Sequence, residues 1–231
     1  MEATTAATGR PSMRETLLTR PVISWALYDL ANTVFSMNIV SFYLGIWVVT
    51  VMGQSDAVWG YTGSLTYAVV FVTAPILGAL SDQAGRRMPF LLVSTVLCVA
   101  CTALLGTWGL FVTLGLFVVA NYFFQAGLIF YDATLPVVST AETRGIVGGF
   151  GIGLGYLGSF AGVLTGILLL DWVGYVGVFR LTALIFLVFA IPIFLFVEEP
   201  PRESTLRLDR GAPMRAIRQV RYRIDVGDGI Q

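Results

Sequence analysis

The sequence contains no histidine and no lysine, and its 14 basic residues, all arginine, balance 14 acids. Charged residues make up only 12% of the chain, about half the share usual in soluble domains. Without histidine, the commonest general base and zinc ligand is missing. Two cysteines, Cys98 and Cys101, form a C-x-x-C, but they lie inside the apolar run 90–105, where a thiolate or a metal would find no water and no polar partner. They read as small packing residues. No nucleophile-plus-base pair stands out, so neither an enzyme nor a metal or cofactor site is expected. Zero net charge, with the arginines spread over loops, argues against nucleic-acid binding. Residues 1–19 lack a continuous apolar core, so no cleavable signal is expected there.

Hydrophobic residues fill the space that charge leaves. They make up 56% of 231 residues, with a mean hydropathy of +0.81. Apolar runs of roughly bilayer length recur along the chain. They predict an all-α membrane protein with six transmembrane helices, at about 22–51, 59–80, 88–105, 110–131, 145–170 and 177–197. Residues 1–21 are then a cytoplasmic N-terminal segment and 198–231 a cytoplasmic arginine-rich tail or linker. Arg10, Arg14, Arg20, Arg86, Arg87, Arg144 and the seven arginines after residue 200 fall on one side, which the positive-inside rule makes cytoplasmic. Arg180 falls on the other side, where it either snorkels to water or pairs with Asp171. Pro21 suits a first helical turn and Pro75 is expected to bend the second span. In the tail, Met214, Ile217 and Val220 recur at helical spacing, which fits a surface-lying amphipathic helix or a disordered linker equally.

Several polar residues lie inside these runs. Asp29, Asn32 and Ser36 share one helical face, and Asn38, half a turn away, is expected to serve another contact. Asn121, Gln125 and Asp132 form a stripe about 40° wide. Such stripes are expected to face the bundle interior or a water-filled cavity. Asp29, Asn32, Asn121 and Gln125 are therefore the candidate lining of a path for a solute or ion. For Asp29 two readings stand side by side, proton or cation coupling and a structural hydrogen bond. Gly151, Gly155, Gly158, Gly162 and Gly166 form a continuous stripe and read as a helix-packing face. A helix broken at a substrate site is the sharper alternative.

Between the second and third runs lies the hinge Gly78-Ala79-Leu80-Ser81-Asp82-Gln83-Ala84-Gly85-Arg86-Arg87. Gly78 is expected to permit close packing, Asp82 to accept N–H groups or a cation, and Gly85 to make the reversal with positive φ. The hinge resembles the signature between helices 2 and 3 of the major facilitator superfamily, with Gly78, Leu80, Ser81, Asp82, Gly85, Arg86 and Arg87 in the defining positions. Trp25-Ala26-Leu27-Tyr28-Asp29-Leu30-Ala31-Asn32, Phe130-Tyr131-Asp132-Ala133-Thr134-Leu135-Pro136 and the run from Arg144 to Gly158 are similar to stretches of its vacuole effluxer-like (autophagy-related amino-acid effluxer) branch.

The resemblance spans about residues 20–200 and implies the amino-terminal six-helix half of a twelve-helix transporter. It implies movement of a small polar solute, an amino acid among the candidates, by alternating access across a bacterial cytoplasmic membrane. It also implies a gating role for Gly78, Asp82, Gly85, Arg86 and Arg87. The region 121–125 has no arginine and the fifth run has no proline, departures from many proton-coupled and multidrug members. The partners implied are the solute, a proton or cation, the bilayer, and a second six-helix half or a second copy. The last residues, Asp228-Gly229-Ile230-Gln231, resemble the start of that branch's seventh helix. A fragment, a truncated product and a dimerising half-transporter are all compatible with this length. A non-transporting remnant or membrane assembly partner is the competing class of function.

Overall fold

The structure, a computed structural model, describes residues 12–200. The expected tail helix and all seven tail arginines therefore lie outside the described residues, as do residues 1–11. The order of elements is α1 (Met13–Leu17), α2 (Arg20–Val51), α3 (Asp56–Gln83), α4 (Met88–Ala103), α5 (Leu110–Asp132), α6 (Leu135–Val138) and α7 (Arg144–Phe196).

Local chemistry accounts for most boundaries. Ser12 and Glu15 close a capping box on α1, Ser12 N donating to Glu15 Oε2 at 2.8 Å and Glu15 N to Ser12 Oγ at 3.2 Å. These bonds hold the Glu15 carboxyl below its usual pKa. Pro21 sits in the first turn of α2, where its missing N–H costs nothing. The turn from α4 to α5 uses Gly106 and Gly109 at φ +76° and +83°, a region that favours glycine.

Four stretches are long and apolar enough to cross a bilayer, namely α2, α3, α5 and α7. The fifth, α4, has 16 residues, about 24 Å of helix. At 53 residues, α7 is far too long for one crossing, and its backbone breaks at Gly174 (φ +66°). Contacts with α2 give the direction of each arm. Along 144–173, Gly151 meets Trp25, Gly155 meets Asp29, Gly162 meets Asn38 and Gly166 meets Tyr43, so that arm runs parallel to α2. Along 175–196, Phe179 packs on Trp47 and Phe186 on Phe35 and Tyr28, while Phe194 packs on Tyr28, so the second arm runs back. The outer loop expected at 171–176 is thus helical on both sides of one glycine. A single left-handed residue reverses the chain, and the polar Asp171 and the exposed Trp172 remain within helical turns.

Elsewhere the observed helices differ from the expected ones by a few residues. The largest differences extend α3 to Asp56 and Gln83 and shorten α4 to end at Ala103. Polar residues at a helix end continue the hydrogen-bond ladder even where hydropathy has already fallen.

α2 occupies the centre. Trp25 and Tyr28 stack on Tyr131 of α5 at 4.7 and 5.1 Å between ring centroids. Phe35 packs on Phe124 at 4.7 Å, one level further along, so α5 runs antiparallel to α2. Tyr131 Oη donates to the Trp25 carbonyl and Trp25 Nε1 to Thr134 Oγ1. α4 joins through the Tyr28–Thr95 hydroxyl pair at 2.7 Å and through Phe90 on Phe130. α3 flanks the bundle, held by Trp59 against Phe117 and against Gly45.

Outside this core, large apolar side chains face outward, with Phe71 80%, Phe111 86% and Trp172 86% exposed. Apolar exposure on this scale, spread around the long helices, suits a hydrocarbon surround and not water. Arg180 is exposed near the Gly174 reversal, and among the described residues the ion pair is Arg87–Asp82, which leaves Arg180 without Asp171.

Candidate functional site: the hinge and the polar faces of α2 and α5

The hinge between α3 and α4 is held as a small network. Arg87 is mostly buried, and its guanidinium donates to Asp82 Oδ1 at 2.5 Å and to the Ala133 carbonyl at 2.9 Å. It thereby ties the end of α3 to the end of α5. A third element completes the hinge. Glu199, just after α7 and 8% exposed, accepts from the backbone N–H of Arg87 at 2.5 Å and of Met88 at 3.0 Å. A carboxylate at a helix N-terminus satisfies donors that have no partner in the helix and complements the dipole. Glu199 therefore locks the return arm of α7 onto the start of α4.

Sequence reading missed Glu199. Its only signal is an acid pair directly after an apolar run, and nothing local says that it reaches residues more than a hundred positions away. Glu199→Ala is expected to lower stability by about 1 kcal/mol, the usual cost of a lost cap. Heat-denaturation midpoints in detergent check this, with the exposed neighbour change Glu198→Ala expected to have no effect.

Two hinge expectations are corrected. Gly85 does not take positive φ. The reversal is made by Ala84 in an extended conformation (φ −73°, ψ 132°) and by Arg87 (φ −91°, ψ −26°), so no left-handed residue is needed. Gly78 is not at a close contact, since a Cβ there would meet nothing within 4 Å among the described residues. Its face of α3 is an open flank of the bundle. Arg86 is exposed.

The glycine stripe meets α2 along most of its length. A Cβ on Gly151 would fall 2.5 Å from the Trp25 ring, one on Gly155 2.8 Å from Asp29 Oδ2, and one on Gly162 3.0 Å from Asn38 Oδ1. One on Gly158 would lie 2.6 Å from the Leu30 carbonyl oxygen, and one on Gly166 would overlap the Tyr43 ring. Thr33 Oγ1 donates to the Gly155 carbonyl at 2.8 Å, and Tyr43 Oη to the Val163 carbonyl at 2.7 Å, both across this contact.

The polar residues of the spans separate into two sets. Asp29 and Gln125 are half-buried and Asp132 is exposed. Asn32 is 3% exposed and Asn121 is completely buried, so both sit within the packed core and not on a cavity wall. Asp29, Asn32 and Ser36 lie on helix that is regular up to Phe35, the π-helical turn Ser36–Phe42 beginning only there, and burial divides them: Asn32 is closed in while Asp29 and Ser36 are half-buried. Asn38 does serve a separate contact: its Nδ2 donates to Thr182 Oγ1 at 2.8 Å.

The comparisons with known proteins bear on the same helices. The family model described as Major Facilitator Superfamily matches residues 30–224. The uncharacterized MFS-type transporter YxiO of Bacillus subtilis (strain 168) is 29% identical over 148 residues, which is 59% of this chain and 34% of that protein. An uncharacterized protein of Aquifex aeolicus (strain VF5) is 24% identical over 190 residues, 80% of this chain and 48% of that one. The chain thus spans half or less of the length of the curated relatives it matches. No solved structure matches. A family match over most of the chain, on long apolar helices joined by an arginine–aspartate hinge, identifies an integral membrane protein that belongs to the Major Facilitator Superfamily.

Proposed function

We propose that this chain is one half of a secondary active transporter that moves a small polar solute, an amino acid among the candidates, by alternating access. The observation that carries this reading is Asp29. It is an acid about two and a half turns into a long apolar helix, half-buried against Gly155, in a chain of a transporter superfamily. Intramembrane carboxylates are costly and are retained where an ion or solute passes. In this reading Asp29 and Gln125 face the path, and Asn32 and Asn121 support them from the packed core. Asp29 takes and releases the coupling proton or cation.

The same reading gives six crossings, counting α4 and each arm of α7 as one, with both ends cytoplasmic and the membrane a bacterial cytoplasmic one. It places the chain in the vacuole effluxer-like branch, on the motifs in α2, α5 and α7. Asp82, Arg86 and Arg87 gate, with Gly78 and Gly85 shaping the hinge around them. The Arg87 contacts to Asp82 and Ala133, together with the Glu199 cap, hold the cytoplasmic end in one arrangement and loosen in the other. The exposed flank of α3 supports a partner half, either a second copy of this chain or a separate six-helix unit. A non-transporting assembly partner is the second reading, favoured by the short span relative to the matched relatives.

The mass of the protein in detergent, corrected for bound detergent, tests this. A homodimer is expected for a working half-transporter, because solute binds between halves. A monomer that stays monomeric in lipid nanodiscs, and that moves no amino acid in reconstituted vesicles, would overturn the reading for this chain alone.

A further inference from the structure

The start of α4 and the end of the return arm of α7 enclose a groove of about 670 Å³ at the hinge end of the bundle. Its chemistry follows from the sequence. Val197 closes the last apolar run and Glu198 is the first charge after it, while Arg86 is followed closely by the apolar start of α4, so both walls change from polar to apolar at the same end. Met88, Leu92, Phe194 and Val197 make the apolar wall. Leu92, one turn into α4, is 45% exposed, so the groove opens on the surface that faces hydrocarbon. Three charged residues, Arg86, Glu198 and Glu199, line the same groove.

These charges are not consumed by one another. Among the described residues the ion pair is Arg87–Asp82, so Arg86 and Glu198, both exposed, line the groove without pairing there. Glu199 spends Oε2 on the N–H groups of Arg87 and Met88, and its Oε1 has no partner among the described residues. One guanidinium and two carboxylates beside an apolar wall fit a ligand that carries an anionic group, an ammonium group and an apolar body. The anion accepts from Arg86 and the ammonium donates to Glu198. A ligand with an anion alone would meet two carboxylates of its own sign. A quaternary ammonium has no N–H to donate, whereas a primary ammonium has three. At the edge of a bilayer, the molecule with these parts is a phospholipid with a primary-amine headgroup. The volume lies within the range of about 300–1,000 Å³ usual for small-molecule sites.

We propose that this groove binds a phosphatidylethanolamine-type lipid, its phosphate on Arg86, its ammonium on Glu198 and its acyl chains passing over Leu92 into the hydrocarbon. The inference stands on the lining and position of the groove and does not depend on the transport reading. The lipid lies beside the Glu199 cap and joins the same two elements, α4 and the return arm of α7, from the membrane side.

Native mass spectrometry tests it on the full chain, depleted of lipid in detergent and then given dioleoyl phosphatidylethanolamine, phosphatidylcholine or phosphatidylglycerol in turn. One phosphatidylethanolamine per chain is expected to be retained about tenfold more tightly than either other lipid, the ratio that one charge-assisted hydrogen bond supplies. Glu198→Gln is expected to bring phosphatidylethanolamine down to the phosphatidylcholine level, and Arg86→Gln to weaken retention of both. Arg144→Gln, an exposed arginine outside the groove, is expected to change neither. Equal retention of the three lipids overturns the proposal, and so does a preference for phosphatidylethanolamine that Glu198→Gln leaves intact. Stronger retention of phosphatidylglycerol overturns it as well, because the carboxylates would then play no part. Displacement of the lipid by leucine, a soluble zwitterion, would give the groove to a free amino acid and overturn the lipid as its occupant. If a variant does not fold, the comparison of the three lipids on the parent protein decides by itself.

Discussion

Gly158→Leu is expected to leave no folded, monodisperse protein in detergent, while Gly153→Leu, about 1.4 turns away on the same helix, is expected to be tolerated. A side chain at 158 would begin 2.5 Å from Thr33 Oγ1, 2.6 Å from the Leu30 carbonyl oxygen and 3.1 Å from the Leu30 Cα. Two of these three atoms are backbone, so no rotamer change can clear them, and the arm 144–173 must move away from α2. That movement breaks the Thr33–Gly155 and Tyr43–Val163 bonds along the same contact. Membrane helices associate through close van der Waals packing and interhelical hydrogen bonds, without a hydrophobic drive, so separating them removes most of what holds the pair. Even a single added methyl in a tight contact costs about 1–3 kcal/mol, so Gly158→Ala is expected to lower the midpoint measurably. At Gly153 a Cβ would meet nothing within 4 Å and the position is exposed, so alanine there is expected to be neutral or stabilising by up to about 1 kcal/mol. Size-exclusion profiles after graded heating measure all four variants, and a Gly158→Leu profile like that of the parent would refute the close-packed geometry.

Asp29→Asn is expected to abolish proton-driven transport while leaving the amount and heat stability of the protein close to the parent's. Asparagine keeps the size and shape of the side chain against Gly155, where a Cβ would fall 2.8 Å from Asp29 Oδ2. It removes the one property on which coupling depends, a charge that can be gained and lost. Among the described residues the ion pair lies at the hinge, so Asp29 has no cationic partner to neutralise it. The measurement is amino-acid uptake into proteoliposomes with and without a proton gradient, beside solute exchange at equal pH. Coupling by Asp29 predicts loss of gradient-driven uptake with exchange retained. Full gradient-driven uptake by the variant would sink the coupling role, and lost stability with retained uptake would support the structural hydrogen bond instead.

The helices were legible because their cause is local. Unbroken apolar runs, the proline at the start of α2 and the two glycines before α5 act over a few residues. The glycine stripe was legible for the same reason, since its spacing follows the helical period, and its contact with α2 follows from the need of small residues for a close neighbour. The hinge was readable as chemistry but not as geometry. Asp82 and Arg87 pair, yet Gly85 needs no positive φ and Gly78 touches nothing within the described residues. The polar stripe of α5 was readable as a stripe, but its periodicity could not say that Asn121 would be sealed in the core while Gln125 stayed half-buried.

The sequence by itself determined that this is a helical membrane protein of a recognisable superfamily, with its polar hinge, its intramembrane acid and its glycine face at known positions. Only the tertiary structure decided that one residue, Gly174, reverses a 53-residue helical stretch. It alone showed that Glu199 caps α4 and that Asn38 bonds Thr182 of the return arm of α7. The physical reason is range. Helical period and hydropathy act between residues three or four apart, whereas these contacts join residues up to 144 positions apart. Their register is set by the packing of whole helices, which no local window of sequence contains.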